Sequence, residues 1–124
     1  MQIHESGENY LETILRLAKK SGSVRSIDIV NELNVSKPSV SVAMKQLREN
    51  GYIIMDENSL ITLTEKGKEI AGKVYERHLV LEKMFICMGV SEETAVNDAC
   101  KIEHDLSEET FEAIKRFYEK MKTE

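Results

Sequence analysis

Residues 24–64, "VRSIDIVNELNVSKPSVSVAMKQLRENGYIIMDENSLITLT", limit the fold of this chain more than any other stretch. Ser26 is placed to cap a short helix whose inner face is Ile27, Ile29, Val30 and Leu33. In "LNVS", Asn34 suits the left-handed conformation that breaks a helix. Ser36 then caps a second helix, with Pro38 in its first turn, where a missing N–H costs nothing. That helix turns Val40, Ala43, Met44 and Leu47 inward and stops at Asn50-Gly51. Two short apolar runs follow, residues 52–55 and 60–63, separated by "DENS", which is the signal of a hairpin. Two helices across a tight turn, followed at once by a small hairpin, form the order of a winged helix-turn-helix. That order is far more specific than either piece.

The remaining segments read as helices. "SGENYLETILRLAKK" has Ser6 as a candidate N-cap with Asn9 at N3 and a broad apolar face. Thr64 caps a long helix running to about Met88, in which Gly67 and Gly72 are tolerated. Ser91 starts another, running to about His104. Ser107 starts the last, where Phe111, Ile114, Phe117, Tyr118 and Met121 form an apolar stripe suited to a dimer surface or to completing the core. One proline and six glycines in 124 residues fit this mostly α reading. The expected architecture is an N-terminal winged helix-turn-helix over residues 1–73, then a helical metal-binding and dimerisation domain over residues 74–124.

Charge is unevenly spread: the net charge is +1 over residues 1–50, −1 over 51–73 and −5 over 74–124. The acidity therefore belongs to the C-terminal part, and a DNA-binding N-terminal part is compatible with an acidic whole. On the second helix of the pair, Lys37, Ser39, Ser41, Lys45 and Arg48 form a polar outer face. Small hydroxyls allow close approach to base edges while Lys and Arg reach phosphates. Arg25, Ser26, Ser36 and Pro38 flank this surface and complete the candidate DNA-binding set. A merely solvated helix face would have a similar composition, and the hairpin that follows favours the DNA reading. "MQIHESGENY" has no basic start or apolar run, no stretch is long and apolar enough for a membrane span, and two cysteines are too few for a secreted scaffold. The cytoplasm is the expected compartment, with no membrane partner.

The second informative cluster is "NDACKIEH". On a helix, residues three and four apart share a face, so Cys100, Glu103 and His104 offer thiolate, carboxylate and imidazole to one point. His78 and Glu82 share a face of the preceding long helix, and Glu12 stands on the first helix one turn from Glu8 and Asn9. Helix bundles build metal sites from such sets. Against this, neighbouring Glu and His are common by chance, and a lone cysteine is usually a small hydrophobe, as Cys87 between Ile86 and Met88 is expected to be.

The chain resembles the iron- and manganese-dependent repressors of the diphtheria-toxin-repressor type, over nearly its whole length. The motifs that carry the resemblance are "ENYLETIL", "SKPSVSVAMKQLRENGYI", "ITLTEKGKEIA", "ERHLVLEKMF" and "NDACKIEHDLS", the last being the most specific. The chain ends where larger members continue into an SH3-like domain, which implies the compact, manganese-sensing branch. Carried over position by position, the resemblance implies that Glu12, His78, Glu103 and His104 are ligands, with Cys100 at a variable site. Asn9 stands where an acidic residue or methionine is usual. Glu82 matches a ligand of an ancillary site, but Val96 stands where that site would want a histidine. Carboxylates favour manganese and iron(II), and a thiolate pulls toward zinc, iron or cobalt, so the expected ion is iron(II) or manganese(II), with zinc next.

The function these residues and the resemblance imply is a metal-dependent transcriptional repressor of metal-uptake genes, acting as a homodimer on a palindromic operator in double-stranded DNA. The alternative is a winged-helix regulator that senses a small organic ligand or oxidation of Cys100. A metal-dependent hydrolase is disfavoured, because no glycine-rich or strand-borne catalytic loop accompanies the cluster.

Overall fold

The computed structural model describes residues 5–122. In chain order the elements are helices α1 (Glu5–Ser21), α2 (Ser26–Leu33) and α3 (Lys37–Glu49), strands β1 (Ile53–Met55) and β2 (Ile61–Leu63), and helices α4 (Glu65–Cys87), α5 (Glu92–Ile102) and α6 (Glu108–Lys122). The chain divides into two compact units at the Lys73–Val74 junction.

In the N-terminal unit, α1, α2, α3 and the hairpin enclose one core. Leu11 and Ile14 of α1 are buried with Val24, Ile29, Val40, Met44, Leu47, Tyr52, Ile53, Ile61 and Leu63. Asn34 takes the left-handed conformation (φ 54°, ψ 47°) and separates α2 from α3. The Ser36 hydroxyl accepts from the Ser39 N–H at 3.2 Å and starts α3 beside Pro38. Strands β1 and β2 pair antiparallel with Ile54 opposite Thr62. Their turn is organised by Asp56, whose Oδ1 accepts from the N–H groups of Asn58 and Leu60 at 2.8 and 2.9 Å. Ile61 N–H donates to the Val24 carbonyl at 2.8 Å and ties this wing to the segment before α2. The winged helix-turn-helix expected from the sequence is thus what the chain forms.

Several details differ from the sequence expectations, each for a local reason. Ser6 already lies within α1 and does not cap it. The N-cap of α2 is Arg25, one residue before Ser26. Arg25 has no side-chain acceptor, so Asp28 at N3 does the work instead, accepting from the Arg25 N–H at 2.9 Å. Ile27 is 44% exposed and points away from the core. Helix α5 ends at Ile102, so Glu103 and His104 stand in the turn beyond it. Cys87 is exposed and does not pack as a small hydrophobe.

The C-terminal unit is helical. Its buried apolar residues are Val74 and Leu81 on α4, Ala95 and Ala99 on α5, and Phe111 on α6. Ser91 and Ser107 open α5 and α6, their hydroxyls accepting from the Thr94 and Thr110 N–H groups at 3.4 and 3.1 Å. Of the α6 stripe, Phe111 is buried and Phe117 is largely exposed.

Gly67, in the first turn of α4, has a stricter role than tolerance. A Cβ there would run into the carbonyl oxygen of Tyr52, with Leu63 Cδ2 also at 3.3 Å. The backbone of Tyr52 is fixed by its own bonds to Leu47 and Thr64, so it cannot easily yield. At Gly72 a Cβ would meet nothing within 4 Å. Gly67→Ala is therefore expected to destabilise the protein by about 1–3 kcal/mol, and Gly72→Ala to be neutral or to stabilise it by up to about 1 kcal/mol. Urea unfolding of the two variants measures the contrast.

Candidate metal centre and nucleic-acid surface

Helices α4 and α5 bring three ligand-type side chains together. His78 projects from α4, Cys100 from the last turns of α5, and Glu103 from the residue just past its end. Glu103 keeps helical angles (φ −59°, ψ −27°), which preserves the shared face with Cys100 although the regular helix has stopped. One donor atom from each of His78, Cys100 and Glu103 lies within 4.8 Å of the others.

Glu103 is the centre of the cluster's electrostatics, with only 1% of its surface exposed. Its Oε2 lies 2.9 Å from His78 Nδ1, and its Oε1 lies 3.4 Å from His104 Nε2. Burial alone would raise the Glu103 pKa; the contacts with His104 and His78 outweigh it and hold the carboxyl below its ordinary value. His78 is contacted at both ring nitrogens, since Glu82 Oε2 lies 3.2 Å from Nε2. The Cys100 sulfur, 3.7 Å from Nδ1, and the Glu103 carboxylate push the His78 pKa up to about 10 against the opposing effect of burial. In this arrangement His78 is an imidazolium held between acidic partners.

Arg77, the neighbour of His78, organises the turn that carries Glu103. Its Nη1 donates to the carbonyls of Glu103 and Leu106 at 3.2 and 2.7 Å, and its Nη2 pairs with Glu108 at 3.1 Å. The guanidinium also lies over the ring of Phe111, 5.2 Å from its centroid. Sequence spacing does not reveal Arg77, because its partners are backbone carbonyls far along the chain.

The donor set suits a divalent transition metal. Ligand bonds of about 2.0–2.3 Å place donors up to about 4.6 Å apart across one ion, so these three atoms need to move only by tenths of an ångström. Imidazole, thiolate and carboxylate together match iron(II), zinc or manganese better than calcium or magnesium. Of the other expected ligands, Glu82 faces the second nitrogen of His78 and His104 faces the second oxygen of Glu103. Asn9 and Glu12 belong to α1 of the N-terminal unit. Glu12 is 1% exposed, and its Oε1 accepts from Arg16 Nε at 3.2 Å.

The N-terminal unit carries the residues expected to form a nucleic-acid surface. Lys37, Pro38, Ser39, Ser41, Lys45 and Arg48 are all exposed on α3, and Ser36 is exposed at its cap. Arg25 is exposed beside the wing, its Nε donating to the Asn58 carbonyl at 3.4 Å, while Ser26 is half-buried. The same helix also exposes Val42, which an inventory of polar residues passes over.

A winged helix-turn-helix joined to a helical unit with converging nitrogen, sulfur and oxygen donors defines a metal-responsive, DNA-binding regulator. Comparison with known families agrees. Residues 2–59 match the iron-dependent repressor N-terminal DNA-binding domain, and residues 64–124 match the iron-dependent repressor metal-binding and dimerisation domain. The chain belongs to the iron-dependent repressor family, and it is a transcriptional regulator, not an enzyme. It is 36% identical over 113 residues to the transcriptional regulator MntR of Escherichia coli O6:H1, covering 91% of this chain and 73% of that one. An uncharacterised HTH-type transcriptional regulator of Methanocaldococcus jannaschii is 37% identical over 121 residues, covering 95% and 96% of the two chains. Among solved structures, the IdeR of T. acidophilum superposes with a TM-score of 0.78 at 27% identity, over 94% of this chain. The present chain spans 55% of that IdeR chain.

The raised His78 pKa fixes the sign of a pH effect in chelated protein. An unfolded histidine titrates near about 6.5, so the stabilisation from protonated His78 is complete below that pH. It fades as pH climbs and is lost once pH passes about 10. Urea unfolding of wild type and His78→Gln across this range, with chelator present, should show a stability difference that shrinks with rising pH. A difference that grows would mean that the ring is neutral.

Proposed function

We propose that this protein is an iron(II)- or manganese(II)-activated repressor that binds a palindromic operator as a homodimer in the cytoplasm. The observation that carries the reading is the convergence of His78, Cys100 and Glu103 in a chain whose other unit is a DNA-binding winged helix. His78, Cys100 and Glu103 are assigned as ligands, with His104 and Glu82 as further ligands or as the groups that orient Glu103 and His78. Following the family resemblance, we infer that a group of the N-terminal unit also belongs to the ligand set. Glu12, a buried carboxylate on α1, is the residue proposed for that role, with Asn9 as a weaker neutral donor. A bound divalent ion supplies positive charge that replaces the His78 proton, so uptake releases protons and tightens with rising pH.

On DNA, the N-terminus of α3 enters the major groove, where Ser39 and Ser41 approach base edges and Lys37, Lys45 and Arg48 meet phosphate. Two such helices in a dimer read half-sites spaced by about 34 Å or a multiple of it. Fixing that spacing couples the two ligands by roughly 1–3 kcal/mol, and DNA must tighten metal binding by the same amount.

His78→Ala and Glu103→Ala should each remove metal stimulation of DNA binding in a gel-shift assay while far-ultraviolet circular dichroism stays unchanged. Unaltered stimulation in both variants refutes the ligand assignment. Lys45→Ala should weaken binding to all duplexes alike and lower the slope of log affinity against log salt by about one. Cys100→Glu should move the metal preference from iron and zinc toward manganese, which competitive titration with the three ions would register.

A further inference from the structure

Helix α3 carries an outward branched aliphatic side chain that phosphate and hydroxyl contacts do not use. Val42 is 58% exposed. At about 100° per residue it lies roughly 200° around the helix from Val40 and Met44 and roughly 140° from Leu47. Those three are the buried residues of α3, so Val42 projects almost directly away from the core. Its face is shared with Pro38 and Ser39 before it and Lys45 and Gln46 after it. Val42, Pro38, Ser39 and Gln46, with Tyr10 of α1, border a shallow depression of about 480 Å³. One pair of methyl groups among hydroxyl, amide and ammonium groups is far too small a patch for a protein partner, whose interface would bury about 1,000 Å² or more. It does match the major groove, where the one apolar group on any base edge is the C5-methyl of thymine.

We propose that Val42 reads a thymine C5-methyl group in the operator and is a specificity-determining residue of this regulator. The inference rests on the DNA-binding reading above and assigns part of its sequence preference. Val42 lies in the N-terminal half of α3, the part of a recognition helix that meets base edges. Lys37 and Lys45, exposed on either side, supply the phosphate contacts that would press it into the groove. A β-branched side chain has few rotamers to lose there, so its methyl groups are presented in a fixed direction.

The test removes methyl groups from the DNA and from the protein separately. An operator duplex is obtained by in vitro selection with the full chain and manganese(II), and each thymine is then replaced singly by uracil, which keeps pairing and loses only the C5-methyl. Wild type is expected to lose about three- to tenfold in affinity at one thymine per half-site. Val42→Ala, a change on an exposed face that removes two methyl groups, is expected to shrink that thymine-to-uracil ratio markedly. An unchanged thymine-to-uracil ratio in Val42→Ala, or no sensitive thymine in wild type, overturns the assignment while leaving DNA binding intact. Failure of wild type to retain any duplex would strike the DNA-binding reading itself, and this inference with it.

Discussion

A carboxylate removed from water governs the C-terminal unit. An ion with Glu103's burial is tolerable only where opposite charge and hydrogen bonds replace its lost hydration. His104 on one oxygen and His78 Nδ1, at 2.9 Å from the other, are those replacements. The contact between residues 78 and 103 thereby ties α4 to the end of α5. The same need explains why the imidazole keeps its proton: the ring that compensates one buried anion also touches Glu82 and the Cys100 sulfur. On the ligand assignment proposed above, a divalent ion would take the place of that proton, so both forms would solve the same electrostatic problem.

The N-terminal unit answers a different constraint. Its core is apolar and continuous, and its outer surface on α3 is short, polar and cationic despite the acidic balance of the chain. Concentrating the acidic excess beyond residue 73 leaves the DNA-facing part close to neutral overall, so a few lysines and arginines suffice to create a local positive face. Net charge is a poor guide to partner in a chain built this way, and the division of charge along the sequence is a better one.

Much of the fold was legible because it is written in local chemistry. Ser36, Ser91 and Ser107 cap helices through bonds that span only three residues, and Asn34 sets a backbone angle by itself. The run of helices and the wing could therefore be read from patterns alone. Other features depend on atoms distant in sequence and left no periodic trace. The clash that requires Gly67 comes from the Tyr52 backbone, and the outward direction of Ile27 depends on how α2 settles against its neighbours. For the site, spacing correctly grouped Cys100 with Glu103. It could not show that the regular helix ends between them, nor that Glu82 takes the far side of the His78 ring. Cys87 misled because apolar neighbours in sequence, Ile86 and Met88, are themselves exposed.

The guanidinium of Arg77 has a final consequence. It holds the backbone carbonyls of Glu103 and Leu106 and rests on the ring of Phe111, so the turn is kept in place by contacts that occupy none of the donor side chains. The backbone of that turn is therefore ordered by contacts separate from those of the His78, Cys100 and Glu103 side chains, so those groups can exchange partners without unmaking the support beneath them.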